Sequence, residues 1–177
     1  MTDSIYFDND CMSAFLWVKE ERILTSLYSG RIQIPQQVYN ELSYRGTPQL
    51  RTRADALIQN GVAEIQPILT DTYAFTLYSK MTSYPNVGHS IIGKGEAAAI
   101  ALASTTNGIV ASNNLKDVSQ YVSELGLRHI TTGDILKKAL EASLITENVG
   151  NTIWSAMLAK GRKIGAASFS GYLQMNK

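Results

Sequence analysis

The sequence predicts an α/β fold, a parallel sheet with helices on both of its faces. Two observations carry this. Short apolar runs alternate along the chain with longer amphipathic stretches, the spacing of strand–helix–strand units. Stop and turn residues also separate the runs, at Gly30, Asn60-Gly61, Asn107-Gly108 and Gly126. A length of 177 residues suits one domain with one core over residues 1–177. No internal repeat, low-complexity tract or linker marks a second domain.

Taken in order, Ile5–Asp8 (IYFD) reads as a short buried strand, ended by the polar group Asp8-Asn9-Asp10. The stretch from Met12 to Leu27 is long enough for a helix, with Phe15, Leu16, Ile23, Leu24 and Leu27 as its apolar stripe. Gly30 fits its stop, and Arg31–Ile34 (RIQI) is a second strand. Pro35 opens a helix running through Val38, Leu42 and Tyr44, since proline is tolerated in a first turn. Arg51–Gln59 is a further helix, closed by Asn60-Gly61. Val62–Ile68 alternates like a strand, but Pro67 confines it to an edge or an end.

Thr70–Met81 reads as helix, followed by a loop of turn formers, SYPNVGHSIIGKG. The alanine-rich helix within GKGEAAAIALA comes next, its flanking glycines read as a tight turn into it. Gly108–Ala111 (GIVA) is another buried strand, Leu115–Leu125 a helix stopped by Gly126, and Arg128–Ile130 a further strand. Gly133-Asp134 starts a helix, and Asn151–Lys160 reads as the last one, leaving the tail SFSGYLQMNK unassigned.

Composition narrows the function classes. Apolar residues make up 45%, and no window approaches the roughly 18 apolar residues of a membrane span. The start MTDSIYFDND is acidic and lacks the basic-then-apolar pattern of a secretory signal. The single cysteine, Cys11, excludes an internal disulfide and fits a buried small apolar residue. A cytoplasmic protein is expected. With 16 basic and 15 acidic residues, the net charge of +1 is lower than nonspecific duplex binding favours. One locally charged site for a short piece of nucleic acid remains compatible with it.

Open parallel sheets hold their ligands beyond the strand ends. The acids that could converge there are Asp8 at the end of the first strand, Glu41 about two turns into the helix after the second, Glu96 in the first turn of the alanine-rich helix, and Asp117 soon after GIVA. Carboxylates gathered at one rim raise one another's pKa unless a cation neutralises them. Oxygen donors without cysteine or histidine select hard cations such as Mg²⁺ or Mn²⁺. That chemistry suits metal-assisted phosphodiester hydrolysis.

The order IYFDND, IPQQVYNEL, GKGEAAAIALA, GIVASNNLKDV resembles the PIN-domain family over roughly residues 4 to 135. The resemblance implies a three-layer α/β/α sandwich and a Mg²⁺- or Mn²⁺-dependent ribonuclease, often the toxin of a toxin–antitoxin pair. It places Asp8, Glu41 and Glu96 as site acids. In the fourth region an amide stands where many members carry an aspartate, because Ser112 is followed by Asn113 and Asn114. A toxin-like variant of the pattern matches Ser112, Asn114 and Asp117, which makes Asp117 the fourth acid and Asn114 a polar support. Partners implied are an RNA substrate, a small antitoxin and a second copy in a homodimer.

Each residue also has a plainer reading. Asp8 fits a helix cap, Glu41 a solvated helix charge, and Asp117 an ordinary first-turn acid. Glu96 gains several tenths of a kcal/mol from the helix dipole whatever its function. Asp10 competes with Asp8 but stands one step into the turn. Gly93, Lys94 and Gly95 lack the spacing of a phosphate loop, although Lys94 is placed to contact an RNA phosphate. His89 and His129 read as surface or structural. Arg45, Arg51 and Arg53, and separately Arg162 and Lys163, form basic groups that suit either a phosphate backbone or a solvated surface. The amide pair also fits a catalytically silent PIN-like scaffold that binds RNA or protein. A receiver-like phosphorylation module would need an aspartate ending a central strand where Ser112-Asn113-Asn114 stands, and a lysine ending a later one.

Overall fold

The computed structural model describes residues 3–176, so Met1 and Thr2 of the N-terminal reading and Lys177 of the tail lie outside the described residues. Five strands form one sheet, β1 (Ile5–Phe7), β2 (Ile32–Pro35), β3 (Ala63–Gln66), β4 (Ile109–Ala111) and β5 (Arg128–Ile130). Their order is β3-β2-β1-β4-β5, and every pairing is parallel. The chain moves outward from β1 in one direction through β2 and β3, then resumes on the other side with β4 and β5. The order therefore reverses between β1 and β4, the position where a parallel sheet leaves a crevice beyond its strand ends.

Alternation along the strands sorts the core into two layers. Ile5, Phe7, Ile32 and Ile34 pack into one apolar cluster with α1 (Asn9–Val18), α2 (Glu21–Tyr28), α3 (Gln36–Leu42) and α4 (Pro48–Gln59). The helices α8 (Thr132–Glu141), α9 (Glu147–Ala159) and α10 (Phe169–Met175) join the same cluster. Tyr6 and Val110 point to the other face and meet α5 (Tyr73–Thr82), α6 (Lys94–Thr106) and α7 (Leu115–Glu124). The result is the expected three-layer α/β/α sandwich. β3 is an edge strand that ends before Pro67, as a residue without a backbone donor requires.

Several boundaries differ from the sequence reading. The helix expected from Met12 to Leu27 is two helices, broken at Lys19, which takes a left-handed conformation (φ 64°) and caps α1 by donating to Leu16 O and Phe15 O. The apolar stripe continues across the break because both helices face the same core. Asn9 and Asp10 do not end the strand in a loop but form the first turn of α1. Tyr44 lies beyond α3 and is exposed, and α4 begins at Pro48. Asn151–Lys160 is not the last helix: α9 begins at Glu147, and the tail folds back as α10. Gly150 makes room there for the Phe169 ring, and Trp154 stacks near Phe169 and Tyr172.

Candidate active site

Asp8 is the deepest element of the site. Its backbone N–H donates to Ala111 O at 2.9 Å, tying the end of β1 to the end of β4. Its Oδ1 accepts from the Cys11 N–H at 2.7 Å and caps α1. The side chain is fully buried, and Oδ2 has no hydrogen-bond partner. Burial pushes its pKa up to about 7, reinforced by the negative charges of Asp10 and Glu96. The Ser112 hydroxyl beside it and the Cys11 N–H offset part of the rise. Ser112 itself is buried at the end of β4, where its Oγ accepts from the Asn114 N–H at 3.1 Å.

Above Asp8, a small polar cleft of about 80 Å³ is lined by Asn9, Asp10, Glu41, Gly95 and Glu96. Glu41 reaches it from α3 and Glu96 from the first turn of α6. Glu41 stays open to solvent, yet the protein packed around its carboxyl, and then the charge of Glu96, raise its pKa. The Gly95 N–H and the Asn9 amide lower it in part.

The two glycines of GKGEAAAIALA have a different task from the tight turn expected of them. Gly93 caps α6 at φ −62° and Gly95 lies inside the helix, so neither needs a left-handed backbone. What they provide is space. A Cβ on Gly95 would stand 3.2 Å from both Glu41 carboxylate oxygens, and one on Gly93 would collide with Glu96 Oε2.

The fourth region divides its labour. Asn113 clasps the start of α8: its Oδ1 accepts from the Thr132 N–H at 2.9 Å, and its Nδ2 donates to Thr132 Oγ1 at 2.8 Å. Asn114 Nδ2 donates to Glu96 Oε1 at 3.1 Å and to Asp117 Oδ2 at 2.8 Å. The amide thus stands between two carboxylates and keeps them apart without adding charge.

Glu41 and Glu96 line one cleft, whereas Asp8, fully buried next to Asn9, is not among its lining residues. Asp117 is tied to the cleft only through Asn114 and does not line it. Lys94, at the exposed first position of α6, does not line it either. Asp10, set behind Asp8 in the sequence reading, does line the cleft, and so does Asn9, which the sequence reading leaves unmarked. Their signal is adjacency to Asp8 at a helix start, where one turn carries three side chains to the same end. Among the described residues, no group of three or more His, Cys, Asp or Glu side chains closes to metal-ligating distance. Asp10, Glu41 and Glu96 line a common cleft without forming one tight shell, as expected of like charges that repel one another.

His89, His129, Arg51 and Arg53 are engaged by partners elsewhere in the fold. His89 pairs with Glu124 at 2.7 Å, and His129 Nε2 lies 2.9 Å from Ser112 O under the end of β4. Arg51 and Arg53 are paired with Asp55 and Glu21. Cys11 is fully buried, as expected. Among the described residues no helix is long and apolar enough to cross a membrane.

Fold and cleft together define a parallel α/β/α protein with an acid-lined crevice at the point where its strand order reverses. A PIN-domain family model matches residues 5–176, and the chain belongs to the PIN-domain family. The match extends through α8, α9 and α10, beyond the region where motifs are readable in the sequence. Among solved structures, the chain is similar to the crystal structure of VapBC2 from Rickettsia felis bound to a DNA fragment from their promoter. That similarity has 16% identity and a TM-score of 0.49, covering 72% of this chain and 98% of the other. No curated protein matches it.

Proposed function

We propose that the chain is a Mg²⁺- or Mn²⁺-dependent endoribonuclease, acting as the toxin of a toxin–antitoxin pair. The observation that carries the metal-site reading is Asp8, a fully buried carboxyl with one oxygen unpartnered beside a cleft lined by Glu41 and Glu96. A buried acid without a partner is costly unless it stays protonated or meets a cation. The donors available are all oxygens, which fits a hard divalent ion. Asp8, Glu41 and Glu96 would hold it, with Asp117 acting through Asn114. RNA and the toxin role follow from family resemblance, as do an antitoxin partner and a homodimer.

A bound divalent ion would supply Lewis acidity and offset charge on the scissile phosphate. The chain's own residues set the stage for this. Asp8 is fixed by the Cys11 N–H, so its unpartnered oxygen has one orientation. The Gly95 N–H and the Asn9 amide favour the charged form of Glu41, and Asn114 donates to Glu96. The missing Cβ atoms at Gly93 and Gly95 leave room for both carboxylates.

The test is cleavage of RNA by purified protein with Mn²⁺ or Mg²⁺, expected to give 5′-phosphate and 3′-hydroxyl ends. Activity should vanish with chelator and in Asp8→Asn. Cleavage that survives chelation overturns the mechanism. If millimolar Mn²⁺ neither supports cleavage nor raises the melting temperature, the catalytically silent scaffold is the better reading.

A further inference from the structure

We propose that the turn after α9, carrying Arg162 and Lys163, binds the RNA backbone phosphate neighbouring the one held at the acids. This rests on the ribonuclease reading and names a subsite for its substrate.

A second polar cavity, about 250 Å³, is lined by Asp10, Asn113, Gly161, Arg162 and Lys163. Asp10 lines both this cavity and the acid cleft, so the two adjoin across one side chain. The acids alone would repel a polyanion, and a strand led across them needs cationic groups beside the cleft.

Arg162 is positioned for that task. Its backbone N–H donates to Met157 O at 3.1 Å, its Nε to Lys160 O at 3.3 Å and its Nη1 to Ser13 Oγ at 3.1 Å. A guanidinium carries five N–H donors, and Nη2 makes no hydrogen bond among the described residues. The nearest acid, Asp10, is 3.8 Å from Nη1, a loose pairing beside the close ones made by Arg53 and Arg128. Lys163 is exposed next to it. The helix that the turn follows, α9, packs on α10 through Trp154, Phe169 and Tyr172. A rigid cation on a packed turn binds phosphate with little ordering cost.

The test uses the full chain carrying Asp8→Asn, so that RNA is bound and not cut, and a short fluorescent single-stranded oligoribonucleotide as probe. Binding is measured by anisotropy between about 50 and 200 mM salt. Removing one cation that neutralises a phosphate should flatten the slope of log K against log salt by about 0.7. Arg162→Ala and Lys163→Ala should each do so, while Arg162→Lys, which keeps the charge, should retain most of the slope. Weaker binding by Arg162→Ala with an unchanged slope would mean that packing against Ser13 was the cause and would overturn the inference. Unchanged slopes in both alanine variants overturn it alone, leaving the nuclease reading intact. Failure of both the Asp8→Asn chain and the wild type with Ca²⁺ in place of Mn²⁺ to bind RNA at all overturns both readings.

Discussion

Replacing Asp8 with asparagine should stabilise the metal-free protein at neutral pH, although the change removes the residue most central to the site. In the folded chain the Asp8 carboxyl ionises near pH 7, against an ordinary value of 3.8, chiefly because it is buried. Between those values the folded protein keeps a proton that the unfolded chain has lost. Stability therefore falls as pH rises through that window and levels off above about 7. The window spans roughly three powers of ten in proton affinity, each worth about 1.4 kcal/mol, so the cost approaches about 4 kcal/mol. Asparagine keeps an oxygen for the Cys11 N–H and never ionises.

Urea unfolding in chelator at about pH 8 should show Asp8→Asn more stable by about 2–4 kcal/mol, with the gap closing near pH 4. Adding Mn²⁺ should raise the wild type by about 2.7 kcal/mol at a hundredfold excess over its Kd and leave the variant where it was. An Asp8→Asn protein no more stable than wild type at the higher pH, or a gap indifferent to pH, would refute the reasoning.

Three further outcomes are expected. Gly95→Ala should place a methyl 3.2 Å from both Glu41 carboxylate oxygens. It should weaken Mn²⁺ binding by about tenfold or more in a thermal-shift titration, while alanine's helix preference limits the loss of fold stability. Asn113→Ala should cost about 1–3 kcal/mol in urea unfolding, because the buried Thr132 loses both partners of its clasp. Glu124 raises the His89 pKa through their hydrogen bond. That contribution is complete below the ordinary value of 6.5 and is lost as pH rises through the folded one, and an NMR titration of Glu124→Gln should show the His89 pKa lowered.

The strands were legible because each is a short apolar run bounded by turn chemistry, and β1, β2, β4 and β5 fall within a residue of their expected limits. The break at Lys19 was not, since both helices share one apolar stripe and nothing in the periodicity registers a left-handed residue between them. The tail was not legible either: α10 is short and acquires its helix by packing Phe169 and Tyr172 against Trp154, which happens only after folding. Asp8 and Glu96 could be picked out because each stands at a strand end or a helix start, whereas Glu41 was singled out only by the order of motifs that resembles the family. Asp10 and Asn9 were harder to place because a side chain's direction within a first turn depends on where the helix begins, here three residues before the expected Met12.

By itself the sequence determined the α/β class and the parallel sheet, and it named the acids to look for near the strand ends. Period, strand spacing and the order of the motifs are properties of the chain. Tertiary structure decided the rest. It put Asp117 behind Asn114, gave Asn113 to Thr132, turned the two glycines into clearance for carboxylates, and set Arg162 beside Asp10 from 152 residues away along the chain. The physical reason is that hydrogen bonds between side chains, excluded volume and the desolvation of a carboxyl all depend on neighbours distant in sequence, and only the packed core brings those neighbours together.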